Sequence, residues 1–484
     1  MNLIREIYYY LKNIFLDRTL IINFHIADFL IILLYFALVS YIGYISGNSV
    51  NSKIDYLIAS RKITLPAFVA TLVSSFYGGI LGVGEFTYRY GISSWFLNAF
   101  PYYLFIFLFA FFLAPKIRKT ELISIPEKLY SSYGKKVSIL GAILILLLTT
   151  PAPYLYMLGV IIQLFTGWEL WFIMFLILSL ASFALYRGGF KSNVNINILE
   201  FLMMFAGFAI IIPFCLIKIG SPEILLNNLP QDHLNITGNH SVQYLIVWFI
   251  IGSWALVDPT FHQRCYAAES PETAKKGILI SLIFWFIFDF MTTLAGLYAF
   301  FYIKEIENPV MSYPLLANMI LPPLAKGFFF LGLISTVMST LTSNLFISAL
   351  TFGNDILPKL KNFNDRKNSL SKLGIFITGF IALFLPVLIP SVVQIWYTVG
   401  SVTIPALLIS VISSYSEKFK VKNYFIFTSM LLSFSISLFS LIYGNIRELD
   451  GIPQHIAGIE PIYPGMITGF SVYLIGLANK FYKK

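Results

Sequence analysis

The segment 334–345, ISTVMSTLTSNL, carries Thr336, Ser339, Thr340 and Ser343 at i, i+3, i+4 and i+7 within a long apolar run. On a helix those hydroxyls line one face. Hydroxyl oxygens stacked on one side of a membrane helix suit a small hard cation, which wants several oxygens at short range. The competing reading is structural: membrane Ser and Thr bond back to their own i−4 carbonyls, or let helices pack closely. A second stretch, 72–84 (LVSSFYGGILGVG), favours the ion site. Gly78, Gly79, Gly82 and Gly84 interrupt an apolar segment, 65–90, long enough to cross a bilayer. Each glycine weakens a helix by about 1 kcal/mol relative to alanine. The helix is therefore expected to unwind and turn free carbonyls toward a cavity, the setting in which non-helical backbone is tolerated at membrane depth. Broken-helix carbonyls facing a stripe of hydroxyls make an ion site of the kind found in secondary transporters.

Positioning these groups takes a polytopic membrane protein. The chain of 484 residues is 58% hydrophobic and 12% charged, where a soluble domain is about a quarter charged. Apolar runs predict about thirteen spans, near 27–47, 65–89, 92–114, 137–165, 168–186, 194–217, 242–262, 277–302, 327–352, 373–391, 393–414, 424–444 and 462–479. The net charge of +10 fits cytoplasmic loops rather than nucleic-acid binding. Lys116, Arg118, Lys119, Lys128, Lys135 and Lys136 gather in one connection, whereas 220–241 holds no Lys or Arg. This alternation predicts an N-terminus outside and a C-terminus in the cytoplasm, in a bacterial inner membrane. Residues 1–26 read as a surface amphipathic segment. Cys215 and Cys265 fall at opposite ends of spans, so no disulfide is expected. A second interrupted span, 242–262, breaks at Gly252-Ser253 and ends at Pro259. Two interrupted spans at corresponding places in two halves, 65–217 and 242–414, predict an inverted repeat. Around them stand a first helix and inner loop (27–64), an outer loop (218–241) and a C-terminal pair of helices (415–484).

Intramembrane ionisable groups are costly and usually functional. Glu85 and Arg89, four apart with the acid first, are expected to pair, structurally or as an outer gate. Asp258, His262 and Arg264 read as an inner-mouth network; one His is too few for a metal site. Glu200 lies two turns into its span. Asp289 lies deep in 277–302, either bonded to a neighbouring helix or facing the pathway.

VMSTLTSN at 337–344, GVGEFTYRYGIS at 82–93, GGF at 188–190 and QRCYAA at 263–268 resemble, in that order and spacing, the sodium/solute symporter family, which includes sodium-coupled proline and sugar carriers. The resemblance implies an all-α LeuT-type membrane fold: a five-plus-five inverted repeat with one helix before and two after. It also implies a sodium-driven transporter that imports a small solute by alternating access. The implied sodium ligands are the backbone carbonyls of Leu72, Ser75 and Thr336 and the side chains of Ser339 and Thr340. The family usually has alanine where Thr336 stands. A second sodium in some members uses further hydroxyls, here Thr342 and Ser343, and an aspartate whose place is taken by Asn197; the second site is expected to be weak or missing. Where the family more often has glutamine, this chain has Glu200. Substrate contacts map onto Gly78, Gly79, Asn98, Thr150, Trp254 and Trp285. Sugar carriers have polar residues at four of these places, so a smaller or partly apolar solute is expected rather than a hexose.

Two rivals stand beside this reading. A transporter-like membrane sensor would bind solute without moving it; the chain ends in Phe-Tyr-Lys-Lys with no attached signalling domain. A membrane-embedded enzyme would need clustered His, Asp or Glu, and the five His are scattered.

Overall fold

The computed structural model describes residues 22–361, 369–385, 392–447 and 453–482. The amphipathic segment expected at the N-terminus lies almost wholly outside them. Among the described residues, nine helices are long and apolar enough to cross a membrane, and a bent pair makes a tenth. The bent pair is the first interrupted span: α2 (Leu65–Phe76) and α3 (Ile80–Tyr90) meet at 57°. Before it stands α1 (Ile26–Asn48), and after it α4 (Ser93–Phe112) and α5 (Lys135–Thr166). A 49-residue helix, α6 (Leu170–Lys218), reverses its backbone at Gly189 (φ 54°, ψ −137°). α7 (Val242–Ala267) is the second interrupted span and passes through a 3-10 turn at Ser253–Leu256. Asp258 then caps its second half, with Pro259 in the first helical position. The remaining helices are α8 (Pro271–Tyr302), α9 (Ala325–Leu350), α10 (Ser369–Phe384), α11 (Val392–Ser414), α12 (Asn423–Ile446) and α13 (Ile462–Tyr482).

The hydroxyl-bearing helix α9 is the axis. Every residue from Phe329 to Leu350 is buried, and α6 packs along it more extensively than any other helix. A helix buried all round must satisfy its terminal N–H groups within the protein. Asp28 of α1 does this: its Oδ1 accepts from Leu324 N (2.8 Å) and Gly327 N (2.9 Å). Its other oxygen caps its own helix by accepting from His25 N (2.9 Å). Apolar side chains such as Leu33, Phe107, Phe175, Phe290, Phe380 and Phe439 point outward, as lipid-facing residues should. The protein is an all-helical integral membrane protein.

One end of the molecule is bolted between the two interrupted spans. Ile63, just before α2, donates to Ala267 O (3.1 Å) and accepts from Glu269 N (3.0 Å). Arg61 reinforces the bridge by donating to Leu122 O (3.0 Å) and Tyr266 O (3.2 Å).

Candidate functional site

The break after α2 falls against the hydroxyl stripe of α9. Ser339 Oγ donates to Ser74 O (2.7 Å) and Thr336 O (2.9 Å), while Thr340 Oγ1 donates to Ser75 O (2.9 Å) and approaches Thr336 O (3.5 Å). Ser75 Oγ turns back to Thr71 O (2.7 Å) and Leu72 O (3.3 Å). The Thr336 hydroxyl is spent on Gly332 O (2.6 Å), so Thr336 presents its carbonyl. Four of the five implied sodium ligands, Ser75, Thr336, Ser339 and Thr340, are thus joined directly, with the Ser74 carbonyl beside them; Leu72 is linked to them only through the Ser75 hydroxyl. Both readings of the stripe meet here, because the same hydroxyls make back-bonds and reach across to the broken helix. Such proximity needs glycine in the break. A β-carbon at Gly78 would collide with the Thr340 side chain, and one at Gly79 with the Trp396 ring.

Adjacent to this point lies a cavity of about 110 Å³, whose wall includes Ser75 and Thr340. Of the six expected substrate contacts, Gly79, Asn98, Trp254 and Trp285 line it. Gly78 faces the hydroxyl stripe instead. Thr150 is absent from the wall and Thr149 takes its place. α5 loses its helical register between Leu148 and Ala152, just before Pro151, and a one-residue offset at such a break exchanges neighbours. Thr149 is also fixed to α9, with Ser348 Oγ donating to its carbonyl (2.8 Å). The wall further includes Tyr77, Tyr102, Tyr103, Tyr154, Asn344 and Trp396, none of which the sequence singled out. Trp285 is 1% exposed and its indole N–H points to Val73 O (3.4 Å) on α2.

Asp289 does both things left open for it. It lines the cavity, and its two oxygens accept from the phenols of Tyr77 and Tyr103. Asp258 also lines the cavity; its Oδ1 accepts from Thr260 N (2.7 Å) at the start of the second half of α7. No hydrogen bond joins the three residues expected to form a network around it, although Arg264 is near enough to Asp258 to interact with it electrostatically. His262 Nε2 bonds Leu256 O (3.0 Å) and its Nδ1 meets Tyr415 OH (3.3 Å), while Arg264 turns the other way. Asp258 is the cap of this helical half rather than a residue within it, and Arg264, two positions beyond His262, falls on a different face from it.

Arg264 is fully buried against the place of the second ion. Its Nη2 donates to Ser343 Oγ (2.9 Å), and its guanidinium lies over the Phe190 ring at 5.3 Å. With the Asn197 amide oriented to suit its neighbours, Oδ1 accepts from Arg264 Nη2 (3.3 Å) and Nδ2 donates to Glu200 Oε2 (3.0 Å). Tyr35 of α1 donates to the other Glu200 oxygen (2.8 Å). Thr342 Oγ1 bonds back to Ser339 O (3.2 Å). Glu85 and Arg89 form the expected pair at 3.1 Å, with Arg89 about half exposed; neither lines the cavity.

The chain is similar to known proteins. The model of the sodium:solute symporter family matches residues 56–420. The chain is 23% identical to the sodium-coupled monocarboxylate transporter 1 of Xenopus laevis, over 73% of this chain and 61% of that protein. It thus spans about three fifths of that relative. It is 23% identical to the sodium/pantothenate symporter of Haemophilus influenzae, over 90% of this chain and 92% of that protein. In three dimensions it is similar to a Na+-coupled sialic acid symporter in a substrate-bound outward-open state. The TM-score is 0.79 at 15% identity, covering 94% of this chain and 98% of that one. A nucleobase-cation-symport-1 family transporter shares the fold more distantly, with a TM-score of 0.59 at 12% identity over 87% and 94% of the two chains. The family match covers most of the chain: the chain belongs to the sodium:solute symporter family.

Proposed function

We propose that the protein is a sodium-driven secondary transporter that imports a small solute by alternating access. The observation that carries this reading is the convergence of Ser339 and Thr340 on the Ser74 and Ser75 carbonyls beside the solute cavity. Sodium takes the carbonyls of Leu72, Ser75 and Thr336 and the hydroxyls of Ser339 and Thr340, replacing the hydrogen bonds that join them. Four residues couple the two substrates. Ser75 lies in the ion site and also on the cavity wall, Tyr77 donates to Asp289, Gly78 abuts Thr340, and Gly79 abuts Trp396. An ion that fixes this segment fixes the solute wall with it.

One sodium moves per cycle. A second ion beside Ser343 would sit next to the Arg264 guanidinium, and two like charges about 4 Å apart repel by roughly 4 kcal/mol at an effective dielectric of 20. The spans number thirteen when α6 is divided at Gly189 and α10 and α13 are counted, arranged as two five-helix repeats, 65–217 and 242–414. The basic loops lie in the cytoplasm of a bacterial cell. The solutes in the relatives' names differ from one another, so none is carried over.

Uptake into proteoliposomes under an inward sodium gradient tests the reading. Replacing Ser339 and Thr340 together with Ala should raise the half-maximal sodium concentration at least tenfold and leave expression largely intact. An unchanged sodium dependence in the double variant would remove the ion assignment, and solute binding without uptake would make the protein a sensor.

A further inference from the structure

The cavity has a sign. Its wall carries two carboxylates, Asp258 and Asp289, and among the described residues that line it there is no Lys, Arg or His. The two acids are not equivalent. Asp258 is accounted for by the helix it caps, whose N-terminal N–H groups carry partial positive charge. Asp289 has no such partner. Both of its oxygens meet phenols, which are donors able to serve a carboxylate on each side. Both donors are neutral. A buried carboxylate without a cation is costly unless something positive joins it. The wall is also rich in aromatic rings: Trp254, Trp285 and Trp396 line the same space, with Tyr102 and Tyr154 beside them. Aromatic faces attract cations and do nothing comparable for anions.

We propose, building on the transporter reading above, that the transported solute is a small organic cation, an amine or quaternary ammonium, whose charged nitrogen is held between Asp289 and the indole wall. Tyr77 and Tyr103 fix the carboxylate in place, as positioning residues. A solute bearing a carboxylate would be repelled by both acids and would find no basic side chain to receive it. The volume of about 110 Å³ limits the solute to a small molecule. Because Tyr77 belongs to the break between α2 and α3, occupation of Asp289 also steadies the segment that carries the ion's carbonyl ligands.

Thermal unfolding of the purified, full-length protein in sodium-containing detergent buffer tests this, with choline, putrescine, glycine betaine and pyruvate as probes. Choline or putrescine should raise Tm, glycine betaine should act far more weakly than choline, and pyruvate should have no effect. Asp289→Asn should weaken the cation response at least tenfold on the concentration axis. Trp254→Leu changes a partly exposed wall residue, so it should fold even if the buried substitution does not. It should weaken choline by roughly threefold to thirtyfold. Three results would each overturn the proposal: no shift with either amine, a betaine or pyruvate shift matching that of choline, or a choline response that survives both substitutions. Repeating the series with potassium in place of sodium separates the two readings. A Tm indifferent to that exchange counts against sodium coupling and leaves the solute assignment to the probes.

Discussion

Neighbouring glycines carry different duties, and this is where single residues are most informative. Gly78 admits the Thr340 side chain and Gly79 admits the Trp396 ring. Overpacking a tight contact costs about 1–3 kcal/mol, or roughly fivefold to a hundredfold in an equilibrium constant. Gly78→Ala should therefore raise the sodium concentration for half-maximal uptake, with the smaller effect on solute. Gly79→Ala should do the reverse. Sodium and solute titrations on the two variants check this, and identical profiles would mean that the two contacts are not separable. The hydroxyl stripe and the glycine break were legible because both are local patterns, a spacing of three and four and a cluster of helix breakers. The partners of Asp289 were not. Tyr77 and Tyr103 lie 212 and 186 positions away from it, and no periodicity announces a contact across such a distance. Trp396 was hidden for the same reason, and Thr150, carried over by position from the family resemblance, missed the wall by one residue at a place where the helix breaks.

At the level of whole elements, α9 depends on a helix outside the predicted repeat. Asp28 supplies the cap that α9 lacks. Asp28→Ala would leave three backbone N–H groups, those of Leu324, Gly327 and His25, without this acceptor, at about 1–3 kcal/mol for each one that is buried. The variant should unfold several degrees below the parent in detergent, while Asp28→Asn, which keeps one acceptor oxygen, should lose less. Thermal melts compare them directly. The apolar run at 27–47 announced the helix seen as α1 but gave it no task, since a cap supplied across 296 positions leaves no local signature. A second dependence joins the interrupted spans through the bridge at Ile63 and the Arg61 side chain. Cys265, fully buried, sits one residue from Tyr266, whose carbonyl Arg61 holds. Arg61→Ala should loosen that end and speed alkylation of Cys265 severalfold. Cys215, buried elsewhere on α6, provides the internal standard; equal acceleration at both would indicate general loosening instead of an opened gate.

For the molecule as a whole, composition already announced a membrane protein, and the paired interruptions announced its repeat. What composition could not show is the balance of charge in its interior. Arg264 is the fixed positive charge, tied through Asn197 to Glu200, while Asp289 stands in the cavity with only phenols for company. That second feature has an electrical meaning. A carrier whose loaded form takes up one sodium and one cationic solute moves two positive charges inward per cycle, and each is worth about 2.3 kcal/mol per 100 mV. A membrane potential of about 100 mV, negative inside, would then support accumulation of the solute by more than a thousandfold with no sodium gradient at all. Uptake by proteoliposomes clamped with a potassium diffusion potential, sodium equal on both sides, should rise steeply as the interior is made negative. An anionic or neutral cargo would flatten that dependence. With the cargo proposed above, the carboxylate without a cationic partner would let the protein store voltage as a solute gradient.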